Sequence, residues 1–394
     1  MRFRRTTLGF VGVIALVAAM VLPATSTGAQ TIYDVSVGQF LEGAPAESMR
    51  FLPYDIDVHQ GDTLHFASLG FHTATLLPVG QGPVEWYDAN SGAGTTNPYA
   101  LLRPDPDDGP TSFKAGNVAA FPTDPTCGGA GQPACSFNGS AVANSGAPFA
   151  APMDFSVTVN ASAGSTFYVL CIVHGPNMRM KVDVVAASVP ATTFAEADAQ
   201  SAAALEQDTD SAVALHERFG ARQTFHTKPD GTRVWDAWAG VDNRHVSLLA
   251  MYPSRLVVSR GDTVQWHFDT LEYEVHTVTM PLDIGRDIAR NSFLPVCDPD
   301  GDAGPGPDNP PNLMEPPFCS VATQLEIDLD DRFLPPSGNG VFRGSDLESS
   351  GVLGLDTHLG DPNYEVTFAR RSTDGPFKYL CMIHPFMRGK VVVG

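Results

Sequence analysis

Short stretches in which apolar and polar residues alternate recur along most of the chain. Tyr54, Ile56 and Val58 alternate with polar neighbours, as do Phe155-Ser-Val-Thr-Val159 and Tyr364-Glu-Val-Thr-Phe368. That period belongs to half-buried strands. Phe167-Tyr-Val-Leu-Cys171 and Phe377-Lys-Tyr-Leu-Cys381 are more continuously apolar, and Lys181-Val-Asp-Val-Val185 and Lys390-Val-Val-Val393 close each series. Glycine (37) and proline (32) punctuate these runs, which favours short strands and many turns over helices. The exception runs from Val189 to Gly220, rich in Ala, Glu, Asp and Gln. Thr193 and Glu196 have capping-box spacing and Gly220 suits a helix C-terminus, so one or two helices are predicted there.

The strand pattern occurs twice. Met49-Arg-Phe-Leu-Pro-Tyr54 with its following Gly61-Asp-Thr63 returns as Met251-Tyr-Pro-Ser-Arg255 with Gly261-Asp-Thr263. Each copy then adds a histidine on a predicted short strand (His72 or His276), a long loop with two cysteines, an alternating strand, and a strand ending in cysteine (Cys171 or Cys381). At 394 residues the chain suits two domains, each large enough for its own core. The predicted division is residues 1–29 as a signal peptide, 30–189 and 234–394 as β domains, and 190–233 as a helical linker.

The N-terminus has basic Arg2, Arg4 and Arg5, an apolar run from Leu8 to Leu22 and a small-residue stretch ending at Ala29. This is a secretory layout, with cleavage expected after Ala29; the arginine pair resembles a twin-arginine signal faintly, and either export route fits. The expected location is therefore outside the cytoplasm, secreted or periplasmic, with no membrane insertion after cleavage. A formal charge of −20 disfavours nucleic acid and anionic membrane surfaces as partners and favours a protein with a basic face. Six cysteines in an exported chain suggest two local disulfides, Cys127–Cys135 and Cys297–Cys319, leaving Cys171 and Cys381 over. Pairing of those two with each other is the bland alternative.

Cys171 and Cys381 each head a ligand-rich loop: Cys171-Ile-Val-His174-Gly-Pro-Asn-Met178 and Cys381-Met-Ile-His384-Pro-Phe-Met387. With the upstream His72 and His276, each half offers two imidazoles, a thiolate and a thioether. That set suits a blue copper site with a weak axial Met; zinc takes thioether poorly. A lone His, Cys or Met is ordinarily packing; the complete ordered set, present twice, is what carries the reading. The acidic loop Asp298 to Asp302 fails an EF-hand count, with Ala303 and Asn309 where Gly and Glu belong.

On these loops both halves resemble the cupredoxins, the plastocyanin, azurin and amicyanin superfamily; the second half, with two residues between His384 and Met387, is closest to amicyanin. The resemblance implies an all-β chain of two tandem Greek-key β-sandwiches joined by a short helical linker. It implies two type 1 coppers, held by His72, Cys171, His174 and Met178 and by His276, Cys381, His384 and Met387. It implies one-electron transfer with redox partner proteins, and ring edges of His174 and His384 presented at the surface beside apolar docking residues. Two-domain multicopper oxidases and copper nitrite reductases share these domains, but their further centres use a histidine just before the blue-copper cysteine and, in oxidases, His-x-His pairs. Leu170 and Leu380 occupy that position and no His-x-His occurs, so the expectation is a protein that is not an enzyme. Copper storage or delivery is the remaining alternative.

Overall fold

The computed structural model describes residues 30–91, 99, 102–103, 115–116, 121–148, 152–269, 274–292, 294–297, 325–328, 330, 332–352 and 363–394. The predicted signal peptide, Cys319 and the acidic loop at 298–302 lie outside these residues. The residues from Thr31 to Gly394 form one compact unit.

The expected all-β class with tandem sandwiches holds. In the first half, strands Asp55–His59, Gly175–Val185, Thr166–Cys171, Thr75–Leu76 and Ala143–Asn144 form one sheet in that spatial order. In the second half, Arg255–Val258, Arg388–Val393, Phe377–Leu380, Thr279–Met280 and Glu348–Ser349 repeat it place for place. Each faces half of a large eleven-stranded sheet. Inward residues of the paired sheets make two separate cores. Phe51, Leu64, Phe66 and Phe155 meet Ile56, Phe167, Val169 and Val182 in the first. Met251, Val264, Trp266 and Phe368 meet Leu256, Tyr379, Val391 and Val393 in the second. The alternation legible in the sequence is what puts these side chains on one face.

The two halves share the large sheet. Ala46–Leu52 pairs antiparallel with Val246–Tyr252, with Glu47 opposite Ser247 and Ser48 opposite Val246. Because the repeat places Ser247 at the position of Glu47, this seam relates the halves by an approximate twofold axis. Strand alternation then divides the seam into two faces: Met49, Phe51, Leu249 and Met251 enter the sandwich cores, while Ala46, Val246, Leu248 and Tyr252 form a third apolar cluster on the opposite side. Both seam strands are therefore almost wholly buried.

The described residues include three helices, α1 (Pro83–Asn90), α2 (Phe194–Gly220) and α3 (Leu282–Arg290). The linker is one helix, α2, and the predicted capping box is present, Thr193 Oγ1 accepting from Glu196 N and Glu196 Oε2 from Thr193 N. Its buried stripe, Ala197, Ala204, Asp208, Ala212 and Phe219, covers the third cluster through Ala212 and Phe219. Beyond α2, Phe225–Thr227 is a strand paired to Arg233–Asn243. The short helices α1 and α3 follow the histidine segment in each half; at 8 and 9 residues they are too brief for a clear helical period. The long inserts also meet, since Glu326 of the second half pairs with Ala115 of the first. Of the expected disulfides, Cys127–Cys135 is formed, and Cys171 and Cys381 are both free and buried, unpaired with each other.

Candidate metal centres

Each centre is assembled from two places in the chain. Cys171 ends Thr166–Cys171, and His174 sits in the tight connection to Gly175–Val185. His72 arrives from upstream of Thr75–Leu76. The predicted histidine strands are shorter than expected, beginning at Thr75 and Thr279, past His72 and His276. The reason lies in the intervening threonines. Thr73 N donates to Cys171 Sγ at 3.4 Å and Thr277 N to Cys381 Sγ at 3.3 Å, so neither amide is free for a strand ladder. Their hydroxyls in turn accept from Ile172 N at 2.9 Å and Met382 N at 2.6 Å. A His-Thr pair thus clamps each cysteine loop to the strand that brings the upstream histidine.

The ligand atoms converge. In the first half His72 Nδ1 lies 2.9 Å from His174 Nδ1, and Cys171 Sγ lies 3.9 and 3.4 Å from them. In the second, His276 Nδ1 and His384 Nδ1 are 3.2 Å apart, with Cys381 Sγ at 3.8 and 3.9 Å. Metal–ligand bonds of about 2.0 Å to nitrogen and about 2.3 Å to sulfur put trigonal donors roughly 3.5 Å apart. Both triads fit a single ion, and the soft sulfur with two imidazoles suits copper. Every one of the six residues is buried except His384, which is largely covered.

The electrostatics prepare the thiolate state. Burial alone would raise the Cys171 thiol, but the charge and hydrogen bonds of His174 and His72 outweigh it and hold the thiol well below its ordinary value. Cys381 is lowered in the same way by His276 and His384 against its burial. Burial likewise opposes protonation of His174, yet Cys171 and Glu274 push it well above the usual imidazole value. Thiolate is the form a metal requires.

Met178 and Met387 occupy one register position. Leu170 pairs with Arg179 and Leu380 with Arg388, so each Met immediately precedes the residue opposite the leucine before the cysteine. Met178 is completely buried and Met387 nearly so, each in the same core cluster as its cysteine. Met180, also buried, lies opposite Val169, one pair further along the ladder.

The outward ring nitrogens differ between the centres. His72 Nε2 meets Glu47 Oε1 at 2.7 Å, and that carboxylate is 4% exposed. Room for it exists because Gly38 (φ 70°) and Gly70 have no side chains; a Cβ on Gly38 would stand 2.2 Å from His72 Nε2 and 2.6 Å from Glu47 Oε1. In the second half Ser247 replaces Glu47, and among the described residues neither Ser247 Oγ nor His276 Nε2 has a hydrogen-bond partner. The outer nitrogens of the loop histidines both reach Glu274: His174 Nε2 to Oε1 at 3.3 Å and His384 Nε2 to Oε2 at 3.4 Å. Burial would raise Glu274, but His174 first and His384 after it lower the carboxyl to about 2.

This arrangement overturns one expectation. The ring edges of His174 and His384 do not form two surface ports. His174 is 5% exposed, and both Nε2 atoms turn toward Glu274 because the seam brings the two loops together. The second loop presents the larger apolar surface, through Phe386, 59% exposed with its ring 5.8 Å from that of His384. Sequence reasoning missed Glu47 and Glu274, which have no motif. The one hint was that Glu274 stands two residues before His276, where the first half has Gly70.

No protein-family model matches the chain, and no curated protein matches it. Similar solved structures include a copper(I) form of an amicyanin variant, 18% identical over 44% of this chain and 95% of that one, with a TM-score of 0.17. A copper-containing nitrite reductase from Thermus scotoductus is 14% identical over 92% of this chain and 68% of that one, TM-score 0.20. A blue copper oxidase from Nitrosomonas europaea is 8% identical over 92% and 86%, TM-score 0.18. At such TM-scores these likenesses add nothing to the strand order and ligand geometry above, on which the copper reading rests.

Proposed function

We propose that the chain is an extracytoplasmic blue copper protein that carries single electrons, with one copper in each half. The observation that carries this is the triad: two imidazole Nδ1 atoms and one cysteine Sγ converge twice, with five of the six residues buried and His384 largely covered, and Met178 and Met387 are buried in the cores that hold the cysteines. Copper at such a site supplies a one-electron couple, and a ligand set drawn wholly from the protein suits electrons rather than a bound substrate.

The chain's own residues do the rest. Thr73 and Thr277 amides hydrogen-bond the cysteine sulfurs, which holds electron density on the sulfur and keeps the loop rigid between oxidation states. Glu47 and Glu274 fix the rings and their tautomers. Pro385 and Phe386 form the apolar surface nearest a centre, and the acidic surface around the molecule steers a basic redox partner to it. The Cys127–Cys135 disulfide and the basic-then-apolar N-terminus support a place outside the cytoplasm.

Copper content with visible and paramagnetic resonance spectra on the wild type, Cys171→Ala and Cys381→Ala tests the reading. Two type 1 signals are expected, one lost in each variant, each with a reversible one-electron potential. A type 2 signal surviving both substitutions would favour an oxidase or reductase. Colourless copper(I) passed readily to an acceptor would favour storage or delivery.

A further inference from the structure

Among the described residues Glu274 is the one carboxylate that touches both centres. It occurs in the second half only; Gly70 holds the matching place, two residues before His72. A single copy serves both halves because the antiparallel seam brings the two cysteine loops to the same spot. Each oxygen takes one ring, Oε1 at 3.3 Å from His174 Nε2 and Oε2 at 3.4 Å from His384 Nε2. Both rings have their Nδ1 atoms turned inward on the thiolate triads, so the nitrogen each offers to Glu274 is the one opposite its ligating atom. The carboxylate is 8% exposed. Burying a charge there is unfavourable unless paired, and the two rings are its counterparts.

We propose that Glu274 joins the two His-Cys-His groups into a single two-centre unit, giving electrons a route from one to the other, ring to carboxylate to ring, that stays inside the molecule. This rests on the triads being copper sites. The exchange is a one-electron transfer: the ion at one triad is oxidised by one electron and the ion at the other reduced by one. No proton leaves, since each Nε2–H stays on its ring and the carboxylate stays charged. Glu274 acts here as a positioning residue, holding both rings through their outer edges.

The asymmetry of the surroundings gives the route a direction. The first centre has carboxylates on both outer nitrogens, Glu47 on His72 and Glu274 on His174, which favours its oxidised, more positive state. Among the described residues the second has a carboxylate on His384 alone, and it adjoins the exposed Phe386. Electrons run from the first centre to the second and leave past Phe386.

The test uses the copper-loaded full chain. After a substoichiometric flash reduction, a concentration-independent exchange between the two blue signals is expected, the signals being assigned with Cys171→Ala and Cys381→Ala. In Glu274→Ala and Glu274→Gln that exchange should slow by about tenfold or more, the scale on which outer-shell partners act, while both signals persist. Unchanged exchange with both signals intact overturns the proposal and leaves the copper reading standing. Absence of blue signals in the wild type removes both. Should the variants lose metal, the unaltered protein in its diamagnetic copper(I) form decides by nitrogen-15 resonance. Two exchange-protected Nε2–H groups assigned to His174 and His384 support the bridge, and their rapid exchange with solvent overturns it.

Discussion

Among the described residues the carboxylate beneath His72 has no counterpart beneath His276, and that difference should separate the two centres. A carboxylate on the outer nitrogen strengthens the imidazole as a donor and stabilises the more positive metal state. Glu47 is so placed, whereas Ser247 Oγ and His276 Nε2 lack partners among the described residues. The first centre should therefore have the lower reduction potential. Glu47→Ser should raise it, and Ser247→Glu should lower that of the second centre, each by about 60 mV, the one-electron equivalent of a tenfold change in equilibrium. Spectroelectrochemistry reads both, and a higher potential at the first centre in the wild type would contradict the assignment.

A second residue-scale prediction concerns pH. His65 lies between Asp34 at 2.7 Å and Asp154 at 3.1 Å on the neighbouring strands. The Asp34 hydrogen bond outweighs partial burial and raises the imidazole above its usual value. A raised folded-state value means the pairing stabilises fully at pH below the unfolded imidazole value and is lost as pH rises through the folded one. His65→Gln should therefore lower the urea midpoint at pH 5.5 and have little effect at pH 8.5. The loss at low pH should stay below about 1 kcal/mol, because the site is partly solvated. Equal losses at both pH values would refute it.

At the scale of elements, α2 shows why a helix can be legible while its role is not. Its cap was readable from Thr193 and Glu196, since capping depends on residues three apart. Asp208 looks like one more acid in a polar stretch. In the structure it is 3% exposed and receives Arg50 Nε at 2.8 Å and Ser48 Oγ at 2.7 Å, both from a seam strand. Removing it would strand Arg50, so Asp208→Ala should cost about 3 kcal/mol, measured by reversible chemical denaturation. A loss of only a few tenths would mean that Asp208 adds little to the other contacts of α2, such as Gln200 with Tyr54 and Asp55 and the apolar packing of Ala212 and Phe219. The seam strands misled pattern reading in a related way. Ala46–Leu52 carries Glu47, Ser48 and Arg50 among its apolar residues yet is buried on both faces, because one face meets the first sandwich core and His72 and the other meets α2.

For the molecule as a whole, the shared sheet makes each half incomplete. A chain ending at residue 189 would keep His72, Cys171, His174 and Glu47 but bare the hydrogen-bonding edge of Ala46–Leu52 and lose Glu274 and α2. An uncovered edge strand with an apolar face pairs with whatever edge it meets. Light scattering on this half should show dimers or larger aggregates, and a stable monomer would show that the seam is dispensable.

From the sequence alone came the class of fold, the duplication and the six His and Cys residues that converge in the two triads. Strand periodicity, turn residues and ligand spacing within a loop act over a few positions, and a repeated phrase reveals itself without coordinates. Tertiary structure decided what faces what: that the halves join edge to edge, that the loops holding His174 and His384 converge on Glu274 and not on solvent, and that Glu47 and Asp208 are buried counter-charges. Those facts depend on residues far apart in the chain meeting across a seam, and a glutamate destined for a buried bridge is spelled the same as one destined for water.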